Sequence, residues 1–187
     1  IHGLNYSSLV DMGCGEGRII HELQQRQNSD YLGVDISETA IHFAKGFSSS
    51  ADFLVYDITA APLTKMYEVA VSCEVIEHIP PAHIAAYIKN IHASLSTNGQ
   101  LLLTTPTTNV PVNSKHYQHF TEETLSKHLS PYFTIEEVVF INKKGALSRI
   151  YERLIANRFF ISNCTPFNRF VTNLYMKHCF QDRKSVV

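Results

Sequence analysis

Three glycines at alternate positions near the start of the chain form the first group of residues that could do chemistry. They lie in the segment Gly13-Cys14-Gly15-Glu16-Gly17, which follows the apolar segment Ser8-Leu9-Val10-Asp11-Met12. Glycines at this spacing let the backbone turn sharply and approach a ligand without a clash from a Cβ atom. The helix predicted from Arg18 to Gln27 would present unpaired N–H groups at its beginning, and these suit a polar or anionic ligand group. The segment therefore predicts a ligand-binding loop.

The glycine spacing also argues against one class of enzyme. A dinucleotide-binding fingerprint, Gly-x-Gly-x-x-Gly, would place its third glycine at position 18, where this chain has Arg18. A nicotinamide-dependent oxidoreductase is therefore a weaker interpretation than an enzyme that uses another nucleoside ligand.

Acidic residues stand at or just after the ends of three further apolar segments. Asp35 ends the second segment, Asp57 follows the third and Glu74 follows the fourth. A carboxylate at the end of the second strand can accept hydrogen bonds from both hydroxyl groups of a ribose. The alternative for Asp35 is to cap the following helix, but Ser37 can do that instead.

The segment Glu74-Val75-Ile76-Glu77-His78 forms a second group that could do chemistry. The spacings of three and four residues predict that Glu74, Glu77 and His78 share one side of a helical turn. Carboxylates with an imidazole suit a divalent cation such as Mg²⁺ or Mn²⁺. A further ligand could come from the loop that contains His116 and His119.

Two interpretations of this second group stay open. In the first, Glu74, Glu77, His78 and His119 hold a metal ion. In the second, no metal is used: the segment is the start of a helix in which His78 is a hydrogen-bonded supporting group, and His119 or His116 is a general base or contacts the substrate. Glu74 and His78 are catalytic candidates in either case.

The alternation of apolar strands with helices predicts an α/β fold, a doubly wound sheet of about seven mostly parallel strands with helices on both faces. Ligands of such sheets bind at the carboxyl ends of the strands, where the acids named above lie. The predicted strands are Ser8–Met12, Tyr31–Asp35, Asp52–Tyr56, Val69–Cys73, Gln100–Thr104, Phe133–Ile141 and an antiparallel strand beginning at Arg183. The predicted helices are Arg18–Gln27, Glu38–Phe47, Pro81–Leu95 and a helix capped by Thr121 that ends at Leu129.

Length and composition predict one domain over residues 1–187, with a helical lid or cap insertion over 146–180. The net charge of −1 gives no general electrostatic attraction for nucleic acid. No apolar run is long enough to cross a bilayer. The four cysteines have no paired spacing, so we expect reduced thiols in a cytoplasmic protein. The oligomeric state is not predicted.

The pattern Asp11-x-Gly13-x-Gly15-x-Gly17, together with the later strand-end acids, resembles class I methyltransferases that use S-adenosylmethionine (SAM), and those of types 11 and 12 in particular. The resemblance covers about residues 9–141. It implies that Asp11 and Gly13 face the methionine part of SAM, and that Gly15 and Gly17 allow its close approach. The other residues it implies at the cofactor are Cys14 in the loop, Asp35 at the ribose, Ile36 packed on the adenine ring, Asp57 with Ile58 at the adenine edge, and Cys73 with Glu74 near the transferred methyl group.

Within that class the chain resembles two groups, the ubiquinone-pathway O-methyltransferases and the small-RNA 3′-terminal 2′-O-methyltransferases. The second group holds a metal ion with two glutamates and two histidines, but Gln118 stands before His119 where those enzymes have an aspartate. The function implied is in-line methyl transfer from SAM to an oxygen of a small-molecule, lipid-like or sugar-like acceptor.

Two alternatives to that function remain, a metal-assisted RNA 2′-O-methyltransferase and a catalytically inactive SAM-binding partner subunit. Class I enzymes usually carry further helices before the first strand, where this sequence has only a few residues. We therefore expect either a minimal domain or a chain trimmed at its N-terminus.

Overall fold

The computed structural model describes residues 4–48, 50–109 and 111–140. The chain divides between Glu136 and Glu137 into two units, and all helices and strands given below lie in the first. The predicted insertion over 146–180 and the predicted strand beginning at Arg183 lie outside the described residues. A single domain over 1–187 therefore stays a prediction.

A five-stranded parallel sheet forms the centre of the first unit, with the strand order β3-β2-β1-β4-β5. The first strand pairs with β2 on one side and with β4 on the other. The direction of winding therefore reverses between β1 and β4, and the carboxyl ends of β1, β2 and β4 lie side by side. The strands are β1 (Ser8–Met12), β2 (Asp30–Asp35), β3 (Asp52–Val55), β4 (Tyr67–Cys73) and β5 (Leu95–Thr104).

Helices cover both faces of this sheet, as predicted. Leu9 packs in one buried cluster with residues of the first two helices, whereas Val10 and Met12 pack in the other with residues of the third helix. Successive side chains of a strand point to opposite faces, so the two clusters lie on opposite sides of β1. The helices are α1 (Arg18–Gln24), α2 (Glu38–Phe47), α3 (Ile84–Ala93) and α4 (Glu122–Leu129), and short 3₁₀ turns span Ile76–His78 and Pro81–His83.

The caps of two helices confirm local predictions. The Ser37 side chain accepts a hydrogen bond from Ala40 N at 3.2 Å at the start of α2. The Thr121 side chain accepts from Thr124 N at 3.1 Å, and Thr124 Oγ1 accepts from Thr121 N at 2.9 Å. Each cap satisfies backbone donors that have no partner within the helix.

The number of strands differs from the prediction. The α/β fold is confirmed, but the described residues form five strands rather than about seven. Residues 133–140, within the predicted strand Phe133–Ile141, form none. Ile135 is 37% exposed and Val138 is 45% exposed. An apolar alternation forms a strand only where another strand exchanges hydrogen bonds with it and one face is buried, and the described part of the chain provides neither for these residues.

Two further observations concern the lengths of the helices and the state of the cysteines. Among the described residues, every helix is too short or too polar to cross a membrane. Cys14 and Cys73 are free thiols. The cytoplasmic location stays a prediction.

Candidate active site

The glycine loop (residues 13–17) leaves β1 in a conformation that glycine adopts readily. Gly13, Gly15 and Gly17 have φ angles of 81°, 52° and 78°. A Cβ atom on Gly13 would lie 2.6 Å from Val75 Cγ2, whereas one on Gly15 would meet nothing within 4 Å. Gly13 is therefore required by both its backbone conformation and its close packing, and the loop leaves open space beside Gly15.

Hydrogen bonds join the glycine loop to the end of β2. Gly13 N and Cys14 N both donate to Val34 O, at 2.7 and 2.9 Å. The Asp35 carboxylate accepts from Gly15 N through Oδ2 and from Ser37 N through Oδ1, both at 2.9 Å. Each carboxylate oxygen has a second lone pair, so Asp35 can accept further hydrogen bonds from a ligand beside Gly15.

Asp11, one residue before the end of β1, is buried near the glycine loop. Its side chain is 1% exposed, and neither carboxylate oxygen has a hydrogen-bond partner within the part of the chain that the structure describes. Burial, with a smaller contribution from the charge of Asp35, raises the pKa of Asp11 to about 7. A buried acceptor of this kind suits a ligand that brings a positive charge.

The remaining residues predicted at the cofactor divide into open and buried positions. Ile36 is 72% exposed and offers an apolar surface next to Asp35. Asp57 is exposed, and its Oδ1 accepts from Thr59 N at 2.9 Å. Ile58, in contrast, is buried in the core, and its carbonyl accepts from Asn90 Nδ2 at 2.7 Å. Cys14 is also buried, which raises the pKa of its thiol to about 12.

Glu74 does not begin a helical turn with Glu77 and His78. Its φ angle is 57°, a left-handed conformation that is uncommon for a residue with a side chain. The 3₁₀ turn begins two residues later, at Ile76. Thr104 Oγ1 donates to Glu74 Oε1 at 2.9 Å and lies 3.3 Å from Cys73 Sγ, so Glu74 and Cys73 are both joined to the end of β5.

Glu77 is the buried member of the second group. Its side chain is fully buried, and Thr105 Oγ1 donates to Oε2 at 3.2 Å, but Oε1 has no hydrogen-bond partner within the described residues. Burial raises the pKa of Glu77. The ligand atoms of Glu77, His78 and His116 all lie within 4.8 Å of one another. The structure thus brings His116 to Glu77 and His78, whereas the predicted metal ligands Glu74 and His119 lie outside that group of three.

Hydrogen bonds define the proton positions on two of the histidines. His78 Nδ1 lies 2.9 Å from Lys115 O, which can only accept, so Nδ1 carries a proton and Nε2 of the neutral ring has a lone pair. Asn113 Oδ1 accepts from Lys115 N at 2.8 Å, so the amide NH₂ faces His116 Nε2 at 3.2 Å. His116 Nδ1 then donates to His119 Nε2 at 2.7 Å.

We call Glu77, His78, His116 and His119 the histidine cluster. Tyr117 N donates to Glu77 O at 2.8 Å. This bond joins the loop that carries His116 and His119 to the 3₁₀ turn that carries Glu77 and His78. The sequence placed Thr105 at the end of the fifth predicted strand, at the edge of the site, and Asn113 in the loop expected to contact the substrate. It did not predict their hydrogen bonds to Glu77 and His116, because no regular spacing relates them to those residues.

A family profile described as a methyltransferase domain matches residues 5–141. The chain belongs to the methyltransferase domain family. The predicted class I SAM-dependent methyltransferase family is thereby confirmed, and the match includes the glycine loop and the histidine cluster.

The relatives of this methyltransferase domain are longer proteins. It is 29% identical over 91 residues to a ubiquinone biosynthesis O-methyltransferase of Nitrosomonas europaea, over 45% of this chain and 38% of that protein. It is 25% identical over 110 residues to a protein of the same name from Acinetobacter baylyi, over 55% of this chain and 45% of that protein. The chain therefore spans less than half the length of these curated relatives.

Solved structures show the same fold. A TehB-like SAM-dependent methyltransferase from Corynebacterium glutamicum superposes with a TM-score of 0.60 at 21% identity, covering 69% of this chain and 66% of that one. At this identity the likeness shows the fold alone.

Proposed function

We propose that this chain binds SAM at the glycine loop and transfers its methyl group to a hydroxyl oxygen of a small-molecule acceptor, lipid-like or sugar-like in character. The observation that carries this proposal is the arrangement of residues at the carboxyl ends of β1 and β2. The three glycines of the loop are left-handed, and open space lies beside Gly15, whose N–H donates to the half-buried Asp35. Asp11 is buried near the loop, and its carboxylate has no hydrogen-bond partner among the residues that the structure describes. The relatives named as ubiquinone biosynthesis O-methyltransferases support oxygen as the acceptor atom.

The residues at the glycine loop fit SAM group by group. Asp35 accepts the ribose hydroxyl protons on the lone pairs that Gly15 N and Ser37 N leave available. Ile36 covers one face of the adenine ring with its exposed side chain, and Asp57 accepts from the adenine amino group. Asp11 supplies negative charge behind the methionine part. The buried side chains of Ile58 and Cys14 act through the backbone only.

The histidine cluster removes the proton that methyl transfer to an alcohol releases. SAM supplies an activated methyl group, and the C–O bond forms as the C–S bond breaks in line with it. His116 Nε2 accepts the hydroxyl proton in place of the Asn113 amide, and the proton on His116 Nδ1 moves to His119 Nε2. His78 and Glu74 border the acceptor, and the Thr104 hydroxyl orients Glu74.

A second candidate is methyl transfer assisted by a divalent cation such as Mg²⁺ or Mn²⁺. It is favoured by the mutual proximity of the ligand atoms of Glu77, His78 and His116, and by Glu77 Oε1, which has no hydrogen-bond partner among the described residues. The cation would lower the pKa of the acceptor hydroxyl and replace the histidine base. Glu74 and His119 would then join the group only after a rearrangement of their side chains. An RNA end is the less favoured acceptor, since the net charge is −1.

Calorimetric titration with S-adenosylhomocysteine (SAH), with and without Mn²⁺, tests the proposal. We expect binding that Asp35→Asn weakens about tenfold, because hydrogen bonds to a charged acceptor contribute about 1.5–3 kcal/mol. Asp52→Asn, an exposed acid at the opposite end of the strands, is the matched control and should bind as the wild type does. The absence of SAH binding would refute the proposal.

The same titration separates the two candidates for catalysis. A saturable Mn²⁺ signal that Glu77→Gln removes would establish the metal-assisted route, while binding of SAH unaffected by Mn²⁺ supports the histidine base. Release of SAH is then followed with a panel of phenols, sugars and RNA 3′ ends. SAH binding without turnover of any acceptor would favour the alternative of a non-catalytic partner subunit.

A further inference from the structure

The ring of His116 lies between two partners, one at each nitrogen. Asn113 Nδ2 lies 3.2 Å from Nε2, and His119 Nε2 lies 2.7 Å from Nδ1. A neutral imidazole has one N–H donor and one lone pair, and the hydrogen bonds of the ring decide which nitrogen has which. In water the proton of a neutral histidine prefers Nε2. The partners of His116 therefore determine which of its nitrogens can act as a base.

The orientation of the Asn113 amide decides between the two tautomers. Asn113 Oδ1 accepts from Lys115 N at 2.8 Å, and an NH₂ group could not accept from that backbone donor. The amide oxygen is thus committed to the backbone, and the NH₂ group is the part that faces His116 Nε2. His116 N also donates to Asn113 O at 3.1 Å, so a turn over residues 113–116 holds the two side chains together.

We propose that Asn113 is a positioning residue that holds His116 in the tautomer with the lone pair on Nε2 and the proton on Nδ1. This inference rests on the proposed function, in which His116 is the general base. An amide N–H and an acceptor hydroxyl are both donors, so the hydroxyl can take the place of the amide without a change of tautomer. Asn113 is exposed and can turn away into solvent, whereas His116 is half-buried and keeps its bond to His119.

The tautomer determines the direction in which the proton moves. The acceptor hydroxyl gives its proton to His116 Nε2 as its oxygen forms the C–O bond, and the electron pair of the C–S bond leaves with sulfur. The proton on Nδ1 passes to His119 Nε2, so His116 is neutral again and His119 carries the charge. In the opposite tautomer Nε2 would already carry a proton, and no lone pair would face the hydroxyl.

The test determines the protonation of His116 Nε2 by long-range proton–nitrogen NMR of the ligand-free protein, at about pH 8.5, where free histidine is neutral. The loss of its signals in His116→Gln assigns them. We expect Nε2 to be unprotonated in the wild type. Asn113→Asp keeps an oxygen that accepts from Lys115 N, but it presents to Nε2 a carboxylate, which only accepts. Nε2 should therefore be protonated in this variant.

Turnover, measured as SAH release with an accepted hydroxyl substrate, shows whether the tautomer serves the reaction. Asn113→Asp should lower kcat about 100-fold or more, as the loss of a general base does, and should leave SAH affinity within about twofold of wild type. Asn113→Ala removes the bias without reversing it and should lower kcat less. Asn109→Asp adds the same charge at an exposed position of the same loop. This matched control should keep the wild-type tautomer and turnover.

A proton on His116 Nε2 in the wild type overturns the inference, even if the Asn113→Asp protein fails to fold. An unprotonated Nε2 in folded Asn113→Asp also overturns it, since another group would then set the tautomer. If Nε2 gained its proton in Asn113→Asp while kcat kept the wild-type value, the inference would fail and the proposed function would stand without this base. If the wild type bound no SAH, the proposed function would fail and the role of Asn113 in the reaction with it, while the spectra would still report the tautomer.

Discussion

The glycine loop and the histidine cluster lie at the same edge of the sheet but are built in different ways. The glycine loop is five consecutive residues, and backbone groups make most of its hydrogen bonds, to Val34 O and to Asp35. The histidine cluster unites side chains from two distant segments, and Lys115, which orients His78, is 37 residues away from it in the chain. The first region is defined by backbone conformation and the second by side chains that tertiary packing brings together.

This difference indicates that the two regions tolerate change differently. The backbone groups of the glycine loop would contact the same ligand in every reaction cycle, and a substitution in the loop disturbs the path of the chain. Side chains on a loop can be exchanged without altering the fold, which suits the recognition of varied acceptors. Variants in one region should therefore leave the function of the other unchanged.

The largest effect we expect is on the histidine cluster. His116→Ala should lower turnover about 100-fold or more, because general bases contribute roughly 10²–10⁴-fold, and should leave SAH affinity within about twofold of wild type. Turnover is measured as SAH release with an accepted hydroxyl substrate. His42→Ala, on the exposed face of α2, is the control and should show wild-type turnover. A parallel loss of SAH affinity in His116→Ala would show that the two regions are not separable.

A smaller effect is expected in the glycine loop. Gly13→Ala should weaken SAH binding about 10- to 100-fold, because strained backbone conformations cost of order 1–3 kcal/mol and the new Cβ meets Val75. The matched control is Gly46→Ala within α2, where a Cβ has nothing within 4 Å. It should keep the affinity and gain about 0.5–1 kcal/mol of stability. If Gly13→Ala and the wild type bound SAH with equal affinity, the backbone conformation of the glycine loop would not be what defines the binding site.

The smallest effect we expect is on stability, at the start of α4, the helix that follows the loop carrying His116 and His119. Thr121→Ala removes the acceptor for Thr124 N and should lower the free energy of unfolding by about 1 kcal/mol, measured in urea. SAH affinity should not change, since the cap hydrogen bonds join Thr121 and Thr124 only and involve no residue of the glycine loop. Thr121→Ser keeps the hydroxyl and should restore the stability. If Thr121→Ala weakened SAH binding, the two regions would be coupled through this helix.

Much of the fold and of the glycine loop could be predicted from the sequence, since local features carry the information. The alternation of apolar segments with helices predicted all five parallel strands of the sheet, β1 to β5. The spacing of Gly13, Gly15 and Gly17 predicted the loop, and Thr121 predicted the start of α4. These features depend on the conformational preferences of a few neighbouring residues.

Other features were decided by tertiary structure alone. The spacing of Glu74, Glu77 and His78 predicted one helical turn, but Glu74 bends away to the Thr104 hydroxyl at the end of β5. The apolar pattern over 133–140 predicted a strand that those residues do not form. His116, rather than His119, lies with Glu77 and His78, because Asn113, Lys115 and Tyr117 set the course of an irregular loop. Local preferences determine where elements begin and which residues can turn, whereas the meeting of side chains far apart in the chain depends on packing that no local pattern encodes.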